Sequence, residues 1–298
     1  MTFTVVGLGE VLWDLLPAGP QLGGAPTNFT YHSAALGASA TVVTRVGDDD
    51  LGRQVIRRFT EMNLPWETVQ IDPARPTGTV TVTLNDNGTP HYTFAEDAAW
   101  ERLAETNEAL EAVRRAHAIC FGTLGQRSAT ARRTIQRLIA AAPSEALRIF
   151  DINLRRDFYS REVIEESMRL SNVLKLNKEE LAVLTAMFSL QGDDRQRLEW
   201  LTRTFGFKVV ALTKGSSGSL IHQEGIWSEL PSQQIQVVDT VGAGDAFAAA
   251  LTMGVLSRRR LAEVHKFAAE VARYVCSQKG ATPLLPDAFR NALYHTSM

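Results

Sequence analysis

The stretch Asp239-Thr240-Val241-Gly242-Ala243-Gly244-Asp245-Ala246-Phe247 joins residue types that could do chemistry. Gly242 and Gly244, two residues apart, let an oxygen-rich group approach the backbone. The alternating run Ile235-Gln236-Val237-Val238 before them predicts a strand, and Ala246 to Leu251 after them predicts a helix. The first N–H groups of a helix lack internal partners and favour negative charge. Asp245, a carboxylate inside such a turn, is a base beside an anion cradle, the pairing needed to move a phosphoryl group onto a hydroxyl. Its place at a helix N-terminus predicts a carboxyl held in the ionised form.

A second glycine-rich stretch, GGAPTNFTYHSAALG, runs from Gly23 to Gly37. Pro26 suits the first turn of a helix. That puts Asn28 in the opening turns, with amide donors and an acceptor for a polyhydroxyl ligand. Read singly, each stretch is also just a strand–helix junction or a capped helix start.

Hydrophobic patterning supplies the elements that must position these groups. Apolar runs at Phe3–Leu8, Ala40–Val46, Ala118–Phe121, Arg148–Ile152, Val173–Leu176 and Lys208–Leu212 predict buried strands. Helical patterns lie near 26–36, 50–62, 128–141, 161–170, 178–187, 194–205, 245–256 and 260–277. The alternation predicts an α/β fold with a mostly parallel central sheet covered on both faces, and ligands at the carboxyl ends of its strands. Thr77–Leu84 and His91–Phe94 break the alternation as a hairpin about Asn85-Asp86-Asn87-Gly88-Thr89-Pro90, and Val11–Leu16 adds a strand.

Composition narrows the function classes. The 298 residues are 45% hydrophobic and 21% charged, with a formal net charge of −2. That gives no electrostatic case for nucleic acid or an anionic membrane. No apolar run approaches a membrane span. Glu10 and Asp14 interrupt the apolar start, so no signal peptide is expected and the expected location is the cytoplasm. Two cysteines, Cys120 and Cys276, fit a reducing compartment. The six histidines lack ligand spacing, and no Walker A pattern or nucleophile motif occurs.

Taken together, these residues resemble the ribokinase, or phosphofructokinase-B, family of carbohydrate kinases. One family signature runs from Gly23-Gly24 through Asn28 and Thr30 to Gly37 and Gly47; the other is Asp239 to Asp245 with small residues to Leu251. Asn177-Lys178-Glu179-Glu180 matches the family's Asn-x-x-Glu, which alone reads as a helix cap. The resemblance implies one three-layer α/β/α ribokinase-like domain over 1–298, with a β-sheet lid from about 11–20 and 66–98. It implies ATP and magnesium as cofactors, Asp245 as the base, and Gly242, Ala243 and Gly244 as the anion hole. Asn177 and Glu180 would organise magnesium, its waters and phosphate. Asp14, Gly24, Asn28, Asn153 and Arg155 would bind the sugar, the last two also the nascent phosphate; Thr213, Gly215 and Gly218 would face the nucleotide. A homodimer through the lid is a further implication. Where relatives place an adenine-side Asn, this chain reads Ala268-Ala269-Glu270; Lys279-Gly280-Ala281-Thr282 resembles the ending that helps bind a monovalent cation, which makes potassium activation a hypothesis.

Gly9-Glu10-Val11-Leu12-Trp13-Asp14, Thr77-Gly78-Thr79-Val80, Ala99-Trp100 and Phe121 to Arg127 look most similar to bacterial fructokinases. The implied reaction is ATP plus D-fructose giving fructose 6-phosphate. Three alternatives stay open. 2-Keto-3-deoxygluconate kinase would use Arg127 or Arg155 against an acidic substrate. A nucleoside acceptor would stack on Trp13 or Phe94. A sugar-binding regulatory protein would keep the fold without turnover.

Overall fold

Uninterrupted apolar runs become interior strands, because a strand buried on both faces has no side to leave polar. The computed structural model describes residues 2–16, 19–84 and 90–294. Its strands are β1 (Thr4–Leu8), β2 (Leu12–Leu16), β3 (Gly19–Gly23), β4 (Ser39–Gly47), β5 (Val69–Asp72), β6 (Gly78–Leu84), β7 (Pro90–Phe94), β8 (Ala118–Phe121), β9 (Leu147–Asp151), β10 (Val173–Asn177), β11 (Val209–Thr213), β12 (Ser219–Gln223) and β13 (Ile226–Leu230). Nine form one sheet in the order β13-β12-β11-β10-β9-β8-β1-β4-β5. It is parallel from β11 to β5 and antiparallel at β12 and β13.

Successive side chains point to opposite faces, so the sheet feeds two cores. Val6, Phe121, Phe150, Leu174 and Leu212 meet the helices at 129–140, 161–170 and 178–188 on one side. Val5, Ile149 and Ala211 meet Ala25–Ala35, Ala243–Leu256 and Leu261–Cys276 on the other. The side chains of Asp49, Ser128 and Ser160 fix helix starts by accepting the N–H three residues on.

The second sheet has the order β3-β2-β6-β7. Its central pair β2–β6 is parallel and the outer pairs are antiparallel. Leu12, Val80, Trp100 and Leu124 pack it onto the large sheet's carboxyl edge, with Phe94 and Phe158 beside them.

Four expectations need correction or extension. Ile235–Val238 is not a strand: the N–H groups of Val238 and Asp239 donate to the Cys276 carbonyl at 2.9 and 3.2 Å. Those donors satisfy the C-terminus of helix 261–276 rather than a ladder. Residues 69–72, inside the 66–98 stretch assigned to the lid, instead pair with β4 and form the large sheet's edge. β3, β12, β13 and the helices Asn107–Arg114 and Asp287–Tyr294 join the expected elements. The hairpin tip at 85–89 lies outside the described residues. Among the described residues no helix is long and apolar enough to cross a membrane.

Candidate active site

The two glycine-rich stretches meet. Asn28, in the first turns of helix 25–35, donates from Nδ2 to Asp245 Oδ2 at 2.8 Å across 217 residues of sequence. Gly242 caps helix 243–256 in the left-handed region, with φ 78°. An added Cβ there would lie 2.4 Å from the Ala281 carbonyl oxygen, so only glycine fits. Ala243 N–H donates weakly to Thr240 at 3.3 Å, while the N–H groups of Gly242, Gly244 and Asp245 find no backbone acceptor among the described residues. The turn is therefore a set of donors aimed outward beside a carboxylate.

Burial pushes the Asp245 carboxyl above its ordinary value, against Lys175, the Asn28 hydrogen bond and Arg155. Loss of water thus acts against the helix N-terminus, which favours the ionised form. A base with a raised pKa is better matched to proton transfer near neutral pH.

Two further groups frame Asp245, neither found by sequence reasoning. Lys175 on β10 is 6% exposed and pairs with Asp151 on β9 at 3.0 Å. A Cβ on Gly244 would meet its Nζ at 2.9 Å, which places the ammonium beneath the turn. Burial works to discharge Lys175, but Asp151, Glu180 and Asp245 hold it charged and move its pKa upward. Burial lifts Asp151 to about 6 despite that lysine. Glu10, just past β1, is 1% exposed, and its Oε2 has no hydrogen-bond partner. Burial raises Glu10 to about 7, while its own N–H, Arg155 and the Ala25 N–H pull the other way and Asp245 adds to the rise. The signal each left in the sequence is a single charge inside an apolar run, Leu174-Lys175-Leu176 and Gly9-Glu10-Val11.

The remaining expected residues gather at the strand ends. Asp14 on β2 faces Gln21, and an added Cβ on Gly23 would sit 2.6 Å from its Oδ2. Burial raises Asp14, opposed by Arg155. Gly24 has φ 113° and packs against the Glu10 carbonyl. After β9, Asn153 adopts φ 47° and Arg155 is exposed, donating to its neighbour's carbonyl at Leu154. Asn177 and Glu180 form a reciprocal cap: Glu180 N–H donates to Asn177 Oδ1 at 2.8 Å and Asn177 N–H to Glu180 Oε2 at 2.7 Å. Leu154 N–H takes the other Glu180 oxygen at 3.1 Å, so this helix cap also pins the loop after β9. Thr213 stands beside Asn177 in register, and Gly215 and Gly218 turn the chain into β12. The loop is thus a hairpin turn at the sheet's carboxyl end.

Ala269 and Glu270 lie on helix 261–276 near a cavity of about 580 Å³ lined by Val238, Glu270, Arg273 and Ser277. Of the Lys279–Thr282 segment, Gly280 N–H donates to Asp239 Oδ2 at 3.1 Å, and the Ala281 carbonyl accepts from His32. No group of three or more His, Cys, Asp or Glu side chains could hold a metal among the described residues.

Three aromatic and cationic candidates are already engaged. Trp13 is buried with its Nε1–H on the Leu51 carbonyl, and Phe94 packs edge-on against Phe158 at 5.3 Å. Burial leaves Trp13 without a free face for a base, whereas Phe94 is half-buried with this one edge-on neighbour. Arg127 forks onto Glu101 at 2.5 and 3.2 Å and lies between the Trp100 and Phe158 rings, each 4.7 Å away.

The sequence profile of the pfkB family carbohydrate kinases matches residues 20–288. A fructokinase of Escherichia coli is 28% identical over 305 residues, covering 96% of this chain and 97% of its own. The structure of an uncharacterized sugar kinase from Pyrococcus horikoshii in complex with ATP superposes with a TM-score of 0.77 at 26% identity, covering 93% of this chain and 94% of that one. A 2-dehydro-3-deoxygluconokinase of Thermotoga maritima shares the fold with a TM-score of 0.84 at 18% identity, covering 98% of both chains.

Proposed function

The chain belongs to the pfkB family of carbohydrate kinases, and from that premise we propose that it transfers the γ-phosphoryl group of ATP to the primary hydroxyl of D-fructose, giving fructose 6-phosphate and ADP. The observation that carries the chemistry is the Asn28–Asp245 hydrogen bond at the donor-lined turn. It sets a carboxylate between a hydroxyl-binding helix start and an anion cradle.

In this mechanism Asp14, Gly24 and Asn28 hold the sugar, with Asn153 and Arg155 over its phosphate-accepting end. Asp245 takes the proton from the primary hydroxyl as that oxygen attacks the γ-phosphorus. The bond from that phosphorus to the bridging oxygen breaks and ADP leaves. The N–H groups at Gly242, Ala243 and Gly244 steady the charge on the transferring oxygens. Thr213, Gly215 and Gly218 lie on the nucleotide side. Magnesium, when bound, neutralises phosphate charge. It keeps several waters, so an outer-shell role suits Glu180, whose oxygens already hold two backbone N–H groups; Asn177 would hold the same waters and phosphate. Potassium at the Lys279–Thr282 segment, a homodimer through the small sheet acting as a lid, and a cytoplasmic location belong to the same proposal. Equal rates in sodium and potassium, or a monomer in light scattering, would remove the first two.

Commitment of Arg127 to Glu101 favours a neutral sugar over 2-keto-3-deoxygluconate, since one of the two cations considered for a carboxylate is already paired. The test is ATP consumption with magnesium against fructose, 2-keto-3-deoxygluconate, ribose, tagatose, mannose and adenosine, with Asp245→Asn as control. Fructose-dependent turnover that collapses in the variant is expected. Turnover on another sugar moves the substrate; sugar binding with no turnover on any brings forward the regulatory reading.

A further inference from the structure

We propose that His32 is a positioning residue for the phosphoryl-transfer turn, fixing the backbone at Gly242 through the Ala281 carbonyl. The inference rests on the kinase reading of that turn.

His32 is 0% exposed, one helical turn past Asn28 on the same helix. Its Nε2 lies 2.9 Å from the Ala281 carbonyl oxygen. A carbonyl only accepts, so Nε2 carries the proton. Nδ1 is then the acceptor nitrogen, and it is buried without a partner. Burial holds the ring neutral, with a pKa near 4 although the Ala281 contact pulls upward, so the tautomer is fixed at working pH. A leucine would fill this interior position without an orphaned nitrogen. What the imidazole adds is the hydrogen bond to Ala281.

That carbonyl forms the wall on which Gly242 rests: an added Cβ at Gly242 would meet the Ala281 oxygen at 2.4 Å and its Cα at 2.7 Å. Gly242 in turn sets where the N–H groups of Gly244 and Asp245 point, because it caps their helix. The other fastenings of this segment hold different atoms. Asp239 accepts from Val241 and Gly280 N–H, and Tyr31 Oη–H donates to the Pro283 carbonyl at 3.2 Å. Helix 25–35 therefore grips the transfer side at Asp245, Ala281 and Pro283 while its own N-terminus adjoins Gly24. Of these grips, His32 is the one that holds the carbonyl on which Gly242 rests.

The test compares His32→Leu, which fills the volume without a donor, with His32→Gln, whose amide can reach the same carbonyl. Both are assayed with magnesium and ATP on fructose, or on whichever panel sugar the wild type turns over. The expected result for His32→Leu is a melting temperature within a few degrees of wild type, sugar affinity within twofold and kcat down at least tenfold. His32→Gln should recover most of that loss. A folded His32→Leu with kcat within twofold of wild type, or equal loss in both variants, overturns the inference while leaving the kinase reading intact. A wild type inactive on every sugar strikes the kinase reading instead. If His32→Leu does not fold, the imidazole ¹⁵N spectrum of the wild type decides: an Nε2–H tautomer is expected, and Nδ1–H overturns the inference.

Discussion

Replacing Glu10 with glutamine should change how stability depends on pH. Glu10 is buried at 1% exposure beside the turn, one oxygen unpaired, and its carboxyl is pushed from 4.5 to about 7, chiefly by loss of water. The folded protein therefore binds this proton more tightly than the unfolded chain does. Stability from the group is fully present below pH 4.5 and is lost as pH rises through 7. The gap between 4.5 and about 7, at about 1.4 kcal/mol per pH unit, is worth about 3 kcal/mol. For a chain of this length that is a shift in melting temperature of about 5 °C. Glutamine has the shape of the protonated acid and does not titrate. Melting temperatures of wild type and Glu10→Gln, measured from pH 5 to pH 8, should therefore diverge, the wild type losing about 4 °C relative to the variant, since part of the effect already lies below pH 5. The difference isolates Glu10, because His32 and His265, both near 4, and Asp151, near 6, titrate in both proteins. A constant difference across this range would falsify the reasoning, and would mean that the carboxyl stays ionised with a partner.

Further outcomes follow from the same geometry. Lys175→Met leaves the Asp151 carboxylate buried and unpaired, and should cost about 3–5 kcal/mol in urea unfolding. The double change Lys175→Met with Asp151→Asn should recover most of that; no recovery would show that the pair is not the relevant unit. Gly242→Ala puts a side chain at φ 78° and against a backbone oxygen, so a stability loss of about 1–3 kcal/mol with a larger fall in kcat is expected. A variant as active as wild type would contradict the tight packing on Ala281. Asp14→Ala should raise KM for sugar at least tenfold and leave KM for ATP within twofold; equal losses would contradict its place on the sugar side.

Much of this architecture was legible because buried parallel strands announce themselves as apolar runs. Thr4–Leu8 and Ala118–Phe121 needed no tertiary information. The edge hairpin of β12 and β13 was not read as strands, since SLIHQ and IWSEL lack both a continuous apolar run and strict alternation. Ile235–Val238 had strand-like residues, yet its Val238 N–H goes to a helix end that lies 38 residues away. At the site, Asp245 and Asn28 were visible because local backbone geometry demands glycine and proline around them. Glu10, His32, Asp151 and Lys175 were given no role, because their chemistry depends on contacts between distant segments. For Asp245 the local argument supplied the helix end but not the opposing effect of burial, which is not a local feature.

The parallel pairing at the centre of the small sheet bears on the order of folding. β2 ends at Leu16, and its neighbour β6 begins only at Gly78. Between them the chain lays down β3, β4, β5 and two helices. A parallel pair cannot close through a tight turn, and closing a long loop costs entropy before any contact repays it. Most of one wing of the large sheet is therefore in place before β2 and β6 meet. In pulsed hydrogen exchange, the β2 amides that face β6 should gain protection no earlier than those of β4, whereas those that face β3 are protected by the local hairpin. The cover over the proposed sugar side is then a late product of the main fold, not a module that could be grafted, deleted or refolded by itself.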